Sequence, residues 1–160
     1  MSIVSNTGPL IALAKAGQLG LLASLYGEVR IPPTVHRELL AKSGVEAERL
    51  DSALVDFVQV TELPEPTLEV QLATQSLDPG ERDAVALAHH LNLSLLIDDR
   101  LGRQSASRLS VIVTGTVGVV LLAKQEGLIP LVKPLLEQIR DNGYWLADEL
   151  IAVALSLANE

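Results

Sequence analysis

The sequence reads as an α/β protein: a parallel sheet of about five strands flanked by helices. Short strand-type runs alternate with helix-period segments along its whole length. Hydrophobic residues make up 48% of the 160 but aromatics only 2%, so the core must be built from Leu, Val, Ile and Ala. That is the material of helices laid on a parallel sheet. The apolar run Leu95-Leu96-Ile97 also ends abruptly in Asp98-Asp99-Arg100, putting charge where the strands of such sheets open their ligand crevice.

The elements follow in order. Ser2 to Ser5 is a first strand, and Asn6-Thr7-Gly8-Pro9 leads into a helix through Leu10, Leu13 and Ala14. Pro9 suits the first helical position, where its missing N–H costs nothing. A second helix, Gln18 to Tyr26, stops at Gly27, and Glu28 to Ile31 is the second strand. Pro32-Pro33-Thr34 opens a helix carrying Val35, Glu38 and Leu39, and Val45 to Val55 forms another before the strand Phe57 to Val60. Two prolines make Glu62 to Pro66 a loop. Helices are expected over Leu68 to Ser76 and Pro79 to Leu91, then a strand from Leu93 to Ile97. Helix Gly102 to Leu109, strand Val111 to Val113 and helix Val117 to Gln125 follow, the last ended by Gly127. Two C-terminal helices, Leu131 to Arg140 and Ala147 to Ala158, are separated by Asn142-Gly143. No repeat or linker divides the chain, so residues 1–160 are expected to form one domain, its C-terminal helices beginning near residue 131.

Composition narrows the chemistry. The absence of cysteine removes disulfides, thiolate nucleophiles and cysteine-ligated zinc. No apolar run is long enough to span a membrane and the start lacks the pattern of a signal peptide, so a cytoplasmic protein is expected. A formal charge of −8 argues against tight binding of nucleic acid through many phosphate contacts. It leaves room for a metal-dependent nuclease, whose site concentrates acids beside a few local cations.

Each acid has a bland reading beside a chemical one. Two adjacent carboxylates at Asp98 and Asp99 repel, and a hard cation such as Mg²⁺ or Mn²⁺ relieves that repulsion. One of the pair can instead cap the next helix, leaving the other free. Asp78-Pro79-Gly80-Glu81 has the form of a capping box. Yet Glu81 shares a helix face with Ala84, Val85 and Ala88, which turns it towards the sheet. Glu38 similarly borders the stripe of Val35 and Leu39, although a lone rim glutamate usually turns to water. Asn6, just past the first strand, either ligates a cation or completes a turn. Arg100 and Arg103 either hold a phosphate or pair with nearby acids. His36, His89 and His90 lack a zinc-ligand spacing, and Tyr144 and Trp145 are expected to anchor the C-terminal helices. A phosphatase is disfavoured, since no Asp-x-Asp follows the first strand and no Walker-type loop occurs.

Taken in order, five segments resemble the PIN-domain ribonucleases, specifically the small PIN-like toxins of toxin–antitoxin pairs. They are Val4 to Ile11, Ile31 to Leu39, Leu77 to Ala88, Leu96 to Arg103 and Val113 to Val119. The resemblance implies a PIN-like three-layer fold, with acids from separate elements meeting at one end of the sheet around Mg²⁺ or Mn²⁺. It implies catalytic roles for Glu38, Glu81 and Asp99, metal ligation by Asn6, Glu81 and Asp99 with Asp98 as substitute or supporting acid, and RNA contact through Arg100, Arg103 and Thr116. Asn6 departs from the family, which mostly carries Asp there, so charge is lost at one ligand. An Mg²⁺- or Mn²⁺-dependent endoribonuclease acting on single-stranded RNA is therefore expected, restrained by a cognate antitoxin. The alternative is a catalytically weak PIN-like binding module. The family, and an excess of Leu, Val and Ala over what one small core hides, also imply a homodimer.

Overall fold

In the computed structural model, which describes residues 1–160, the strands β1 (Ser2–Ser5), β2 (Glu28–Ile31), β3 (Val58–Val60), β4 (Leu95–Leu96) and β5 (Val113–Thr114) form one sheet. All neighbours are parallel, in the order β3-β2-β1-β4-β5. The chain runs outward from β1 to β2 and β3, then returns to place β4 on the other side of β1. The order thus reverses between β1 and β4, and this switch point is where open α/β sheets form their crevice.

Ten helices flank the sheet: α1 (Thr7–Lys15), α2 (Gly20–Tyr26), α3 (Pro33–Leu40), α4 (Val45–Asp56), α5 (Leu68–Thr74), α6 (Pro79–Leu91), α7 (Arg100–Arg108), α8 (Thr116–Gln125), α9 (Lys133–Asp141) and α10 (Asp148–Leu157). The core is aliphatic, as the composition requires. Ile3, Val4, Val29, Ile31, Leu95, Leu96 and Ile97 are fully or almost fully buried, and Ala84, Val85, Leu87 and Ala88 of α6 meet them as one continuous cluster.

Most boundaries shift by one or two residues from the sequence reading, and three of these shifts bear on the site. Helix α1 begins at Thr7 rather than Pro9, with Asn6 in extended conformation at its cap. Helix α7 begins at Arg100 rather than Gly102, because the Asp99 side chain accepts from the Gly102 N–H at 2.8 Å and closes the first turn. Strand β5 lies at Val113–Thr114 rather than Val111–Val113, since the Leu95 and Ile97 N–H groups donate to Ile112 and Thr114 across the gap.

Beside the buried Leu135, Leu136, Ile139, Ile151 and Ala154, one carboxylate links the ends of the C-terminal helices. Glu160 accepts from the Val132 and Lys133 N–H groups at 2.7 and 3.0 Å, and from Lys124 Nζ at 2.9 Å. One side chain thereby ties α8, the start of α9 and the segment after α10 together.

Candidate active site

Four elements deliver oxygen donors to one cavity of about 980 Å³ at the carboxyl end of the sheet. Asn6 lies one residue past β1, Glu38 on α3, Glu81 in the first turn of α6, and Asp98 and Asp99 just past β4. All five line the cavity, together with Asp78, Arg100, Arg103 and Tyr144. Asp83, two positions beyond Glu81 and on another face of α6, does not; it accepts from the Thr34 hydroxyl at 2.9 Å.

Local chemistry fixes each donor. Asp78 caps α6 by accepting from the Glu81 N–H at 2.9 Å. The Glu81 carboxyl in turn lies beside Asp78 and faces the cavity. Burial, followed by the negative charge of Asp78 and Asp99, pushes that carboxyl up to about 7. Glu38 accepts from the Thr7 hydroxyl, which joins α3 to the start of α1. Its carboxyl lies directly over Gly80, where a β-carbon would stand 2.8 Å from the Glu38 Cδ. Glycine therefore lets α6 approach closely enough for Glu38 and Glu81 to share one space.

The two adjacent aspartates have different duties. Asp99 uses one oxygen as the α7 cap and keeps the other for the cavity. Asp98 has both oxygens engaged: Oδ1 accepts from the Thr116 N–H at 2.7 Å, and Oδ2 accepts from the Thr116 hydroxyl at 2.6 Å and from the Tyr144 hydroxyl. Thr116 is fully buried in that arrangement. Burial and the Asp98 carboxylate raise the Tyr144 phenol above its ordinary value, keeping it a donor.

Arg103 donates to the Ile97 carbonyl at 3.2 Å, and neither Arg103 nor Arg100 is in an ion pair with the neighbouring acids. The three histidines stand outside the cavity. Trp145 does not anchor the C-terminal helices as expected: it is 81% exposed at the cavity rim, because the adjacent Tyr144 takes the inward position. Sequence reasoning missed Tyr144 as an Asp98 partner, and no local pattern marks a contact spanning 46 residues.

A parallel sheet whose switch point gathers an amide from the end of β1 and carboxylates from α3, α6 and the end of β4 agrees with the family comparison. The model of the DUF3368 family, a PIN domain, matches residues 2–160. The chain is a PIN domain. Among solved structures, this PIN domain is similar to a PilT N-terminus domain protein from the hyperthermophilic archaeon Sulfolobus solfataricus. The two share 18% identity with a TM-score of 0.52, over 92% of this chain and 98% of that one, a likeness of fold. No curated protein matches the sequence. PIN domains are nuclease-like and generally use divalent metals. No helix is long and apolar enough to cross a membrane.

The donors suit a hard cation by type, being oxygens of carboxylates and one amide. No three acidic or histidine side chains stand in ready coordination geometry about one point.

Proposed function

We propose that this PIN domain is a divalent-metal-dependent endoribonuclease that hydrolyses single-stranded RNA. The observation that carries this reading is the convergence of Asn6, Glu38, Glu81 and Asp99 on one cavity at the switch point of the sheet. Glu81 and Asp99 are the principal ligands of Mg²⁺ or Mn²⁺, with Asn6 contributing an uncharged oxygen. When bound, the metal supplies charge relief at the phosphate and a more acidic water. Glu38, oriented by Thr7 and seated on Gly80, positions the attacking water and accepts its proton. Arg100 and Arg103 bind the phosphate oxygens on which charge develops.

Two sequence readings change role in this proposal. Asp98 holds Thr116 and Tyr144 rather than the metal, because both its oxygens already accept hydrogen bonds. Thr116 likewise is a support for Asp98 and not an RNA contact, since it is fully buried. The biological role proposed is that of a toxin with a cognate antitoxin, on the strength of the five-segment resemblance. Trp145, Leu150, Val153 and Leu157 provide an exposed apolar surface beside the cavity for such a protein partner or a second copy.

Incubation of the purified chain with single-stranded RNA in Mg²⁺ or Mn²⁺, against a chelator control, tests the proposal. Metal-dependent internal cleavage is expected. Asn6 favours a second reading, a binding module with weakened catalysis, because an amide removes one charge from the metal site. A folded chain that binds RNA but cuts none, even after Asn6→Asp, would establish that alternative.

A further inference from the structure

Beside the acidic cavity lies a second one of opposite character, about 580 Å³, lined by Asp98, Arg100, Arg103, Gln104, Ser107, Arg108 and Val113. The two cavities share Asp98, Arg100, Arg103 and Val113 as a common wall. In the first, Glu38, Asp78, Glu81, Asp98 and Asp99 outnumber two arginines. In the second, three arginines face the single carboxylate of Asp98, whose oxygens are already engaged by Thr116 and Tyr144. None of the three arginines is in an ion pair, although the chain carries a net charge of −8 and acids are abundant.

Helix geometry makes this a continuous strip. At 3.6 residues per turn, positions 100, 103, 104, 107 and 108 fall within an arc of roughly 140°, and Arg100 to Arg108 spans about 12 Å along the axis. Arg100, Gln104, Ser107 and Arg108 are exposed, and α7 contains no acid to neutralise them. Guanidinium groups, an amide and a hydroxyl in one open cavity are donors suited to phosphate oxygens.

We propose that this α7 face is a binding subsite for the phosphodiester backbone of the substrate strand, outside the phosphate that is cleaved, with Arg108 as its outer contact and Gln104 and Ser107 as supporting donors. The inference rests on the ribonuclease reading of the neighbouring acids. A cation site and an anion site separated by one wall draw a strand across the helix, so that Arg100 and Arg103 face the scissile phosphate while Arg108 holds a neighbouring one. Free inorganic phosphate presents the same chemistry, and the test separates the two sources.

The test measures binding of a labelled single-stranded RNA of about ten nucleotides to Glu81→Gln protein in Mg²⁺, across a series of KCl concentrations. Adding Arg108→Ala is expected to weaken binding severalfold at low salt and to reduce the slope of log affinity against log salt by about 0.7, one phosphate contact on a single strand. Arg108→Lys should restore the slope. In otherwise native protein, Arg108→Ala should raise KM for the long RNA and leave cleavage of a dinucleotide unchanged. An unaltered slope and KM, in a protein that still cuts RNA, would overturn the subsite and leave the nuclease standing. Equal displacement of the RNA from native and Arg108→Ala protein by inorganic phosphate, at constant ionic strength, would also overturn it. Failure of the native chain to bind or cut RNA would remove both readings.

Discussion

Glu81 shows how a single position acquires reactivity from its surroundings. Its carboxyl is pushed up to about 7 by burial and by the charges of Asp78 and Asp99, so the metal-free fold retains a proton that the unfolded chain releases near pH 4.5. The folded state therefore binds more protons between those values, and stability must fall as pH rises through 7. Thermal melts in chelator should show this decline, and Glu81→Gln should flatten it. Mg²⁺ should raise the melting temperature more at pH 8 than at pH 6, because the ion competes with that proton. For catalysis, Glu81→Gln and Asp99→Asn should each reduce Mg²⁺-dependent RNA cleavage by at least about a hundredfold, within the range lost when one charged catalytic group is removed. The fold should survive, since asparagine caps a helix about as well as aspartate. Asn6→Asp should lower the Mg²⁺ concentration required for cleavage, as measured by titration of the initial rate.

Between elements, two close approaches hold the cavity open in the right shape. Gly80 allows Glu38 of α3 to lie against the start of α6, and Gly80→Ala would drive a methyl group into that carboxyl. The atoms met are the end of a flexible side chain, so the carboxyl swings aside at little cost to the fold. Urea unfolding should therefore change little, while the metal requirement of any cleavage should rise because Glu38 is displaced. The second approach is the link from Asp98 to Tyr144 and Thr116, which fastens the segment before α10 to the end of β4. Asp98→Ala leaves three donors without their acceptor, and a loss of roughly 3 kcal/mol in urea unfolding is expected. Asp98→Asn should retain part of it. Tyr144→Phe should cost about 1 kcal/mol, and the native phenol should resist alkaline titration beyond an ordinary tyrosine.

At the scale of the whole molecule, charge and apolar surface are unevenly spread. Acids crowd the switch point, arginines line α7, and Trp145, Leu150, Val153 and Leu157 leave an apolar rim exposed. This rim is the surface proposed above for a protein partner or a second copy, since contiguous exposed apolar patches suit such contacts. Light scattering at micromolar concentration is expected to give a dimer mass; the indole of Trp145, the single tryptophan, should then shift its emission as the chain is diluted into monomers. A monomer mass at that concentration would count against self-association.

The sequence alone determined the parallel α/β sheet, because alternating strand and helix periods with an aliphatic, aromatic-poor composition leave few other architectures. It also marked Glu38 and Glu81, since a carboxylate on the apolar edge of an element is a local anomaly visible in residue spacing, and the Asp98-Asp99 doublet, since two adjacent carboxylates end an apolar strand. Residue pattern alone left the duties of Asp98 and Asp99 open, and the family resemblance that favoured Asp99 gave no physical reason; the two differ in what reaches them from Thr116, Tyr144 and Gly102. Nor did the pattern expose Trp145, whose outward position follows from the inward one of its neighbour. Those assignments depend on hydrogen bonds between residues far apart in the chain. Periodicity reports which face of an element is apolar, but only the packed structure decides which polar groups are brought within 3 Å of one another.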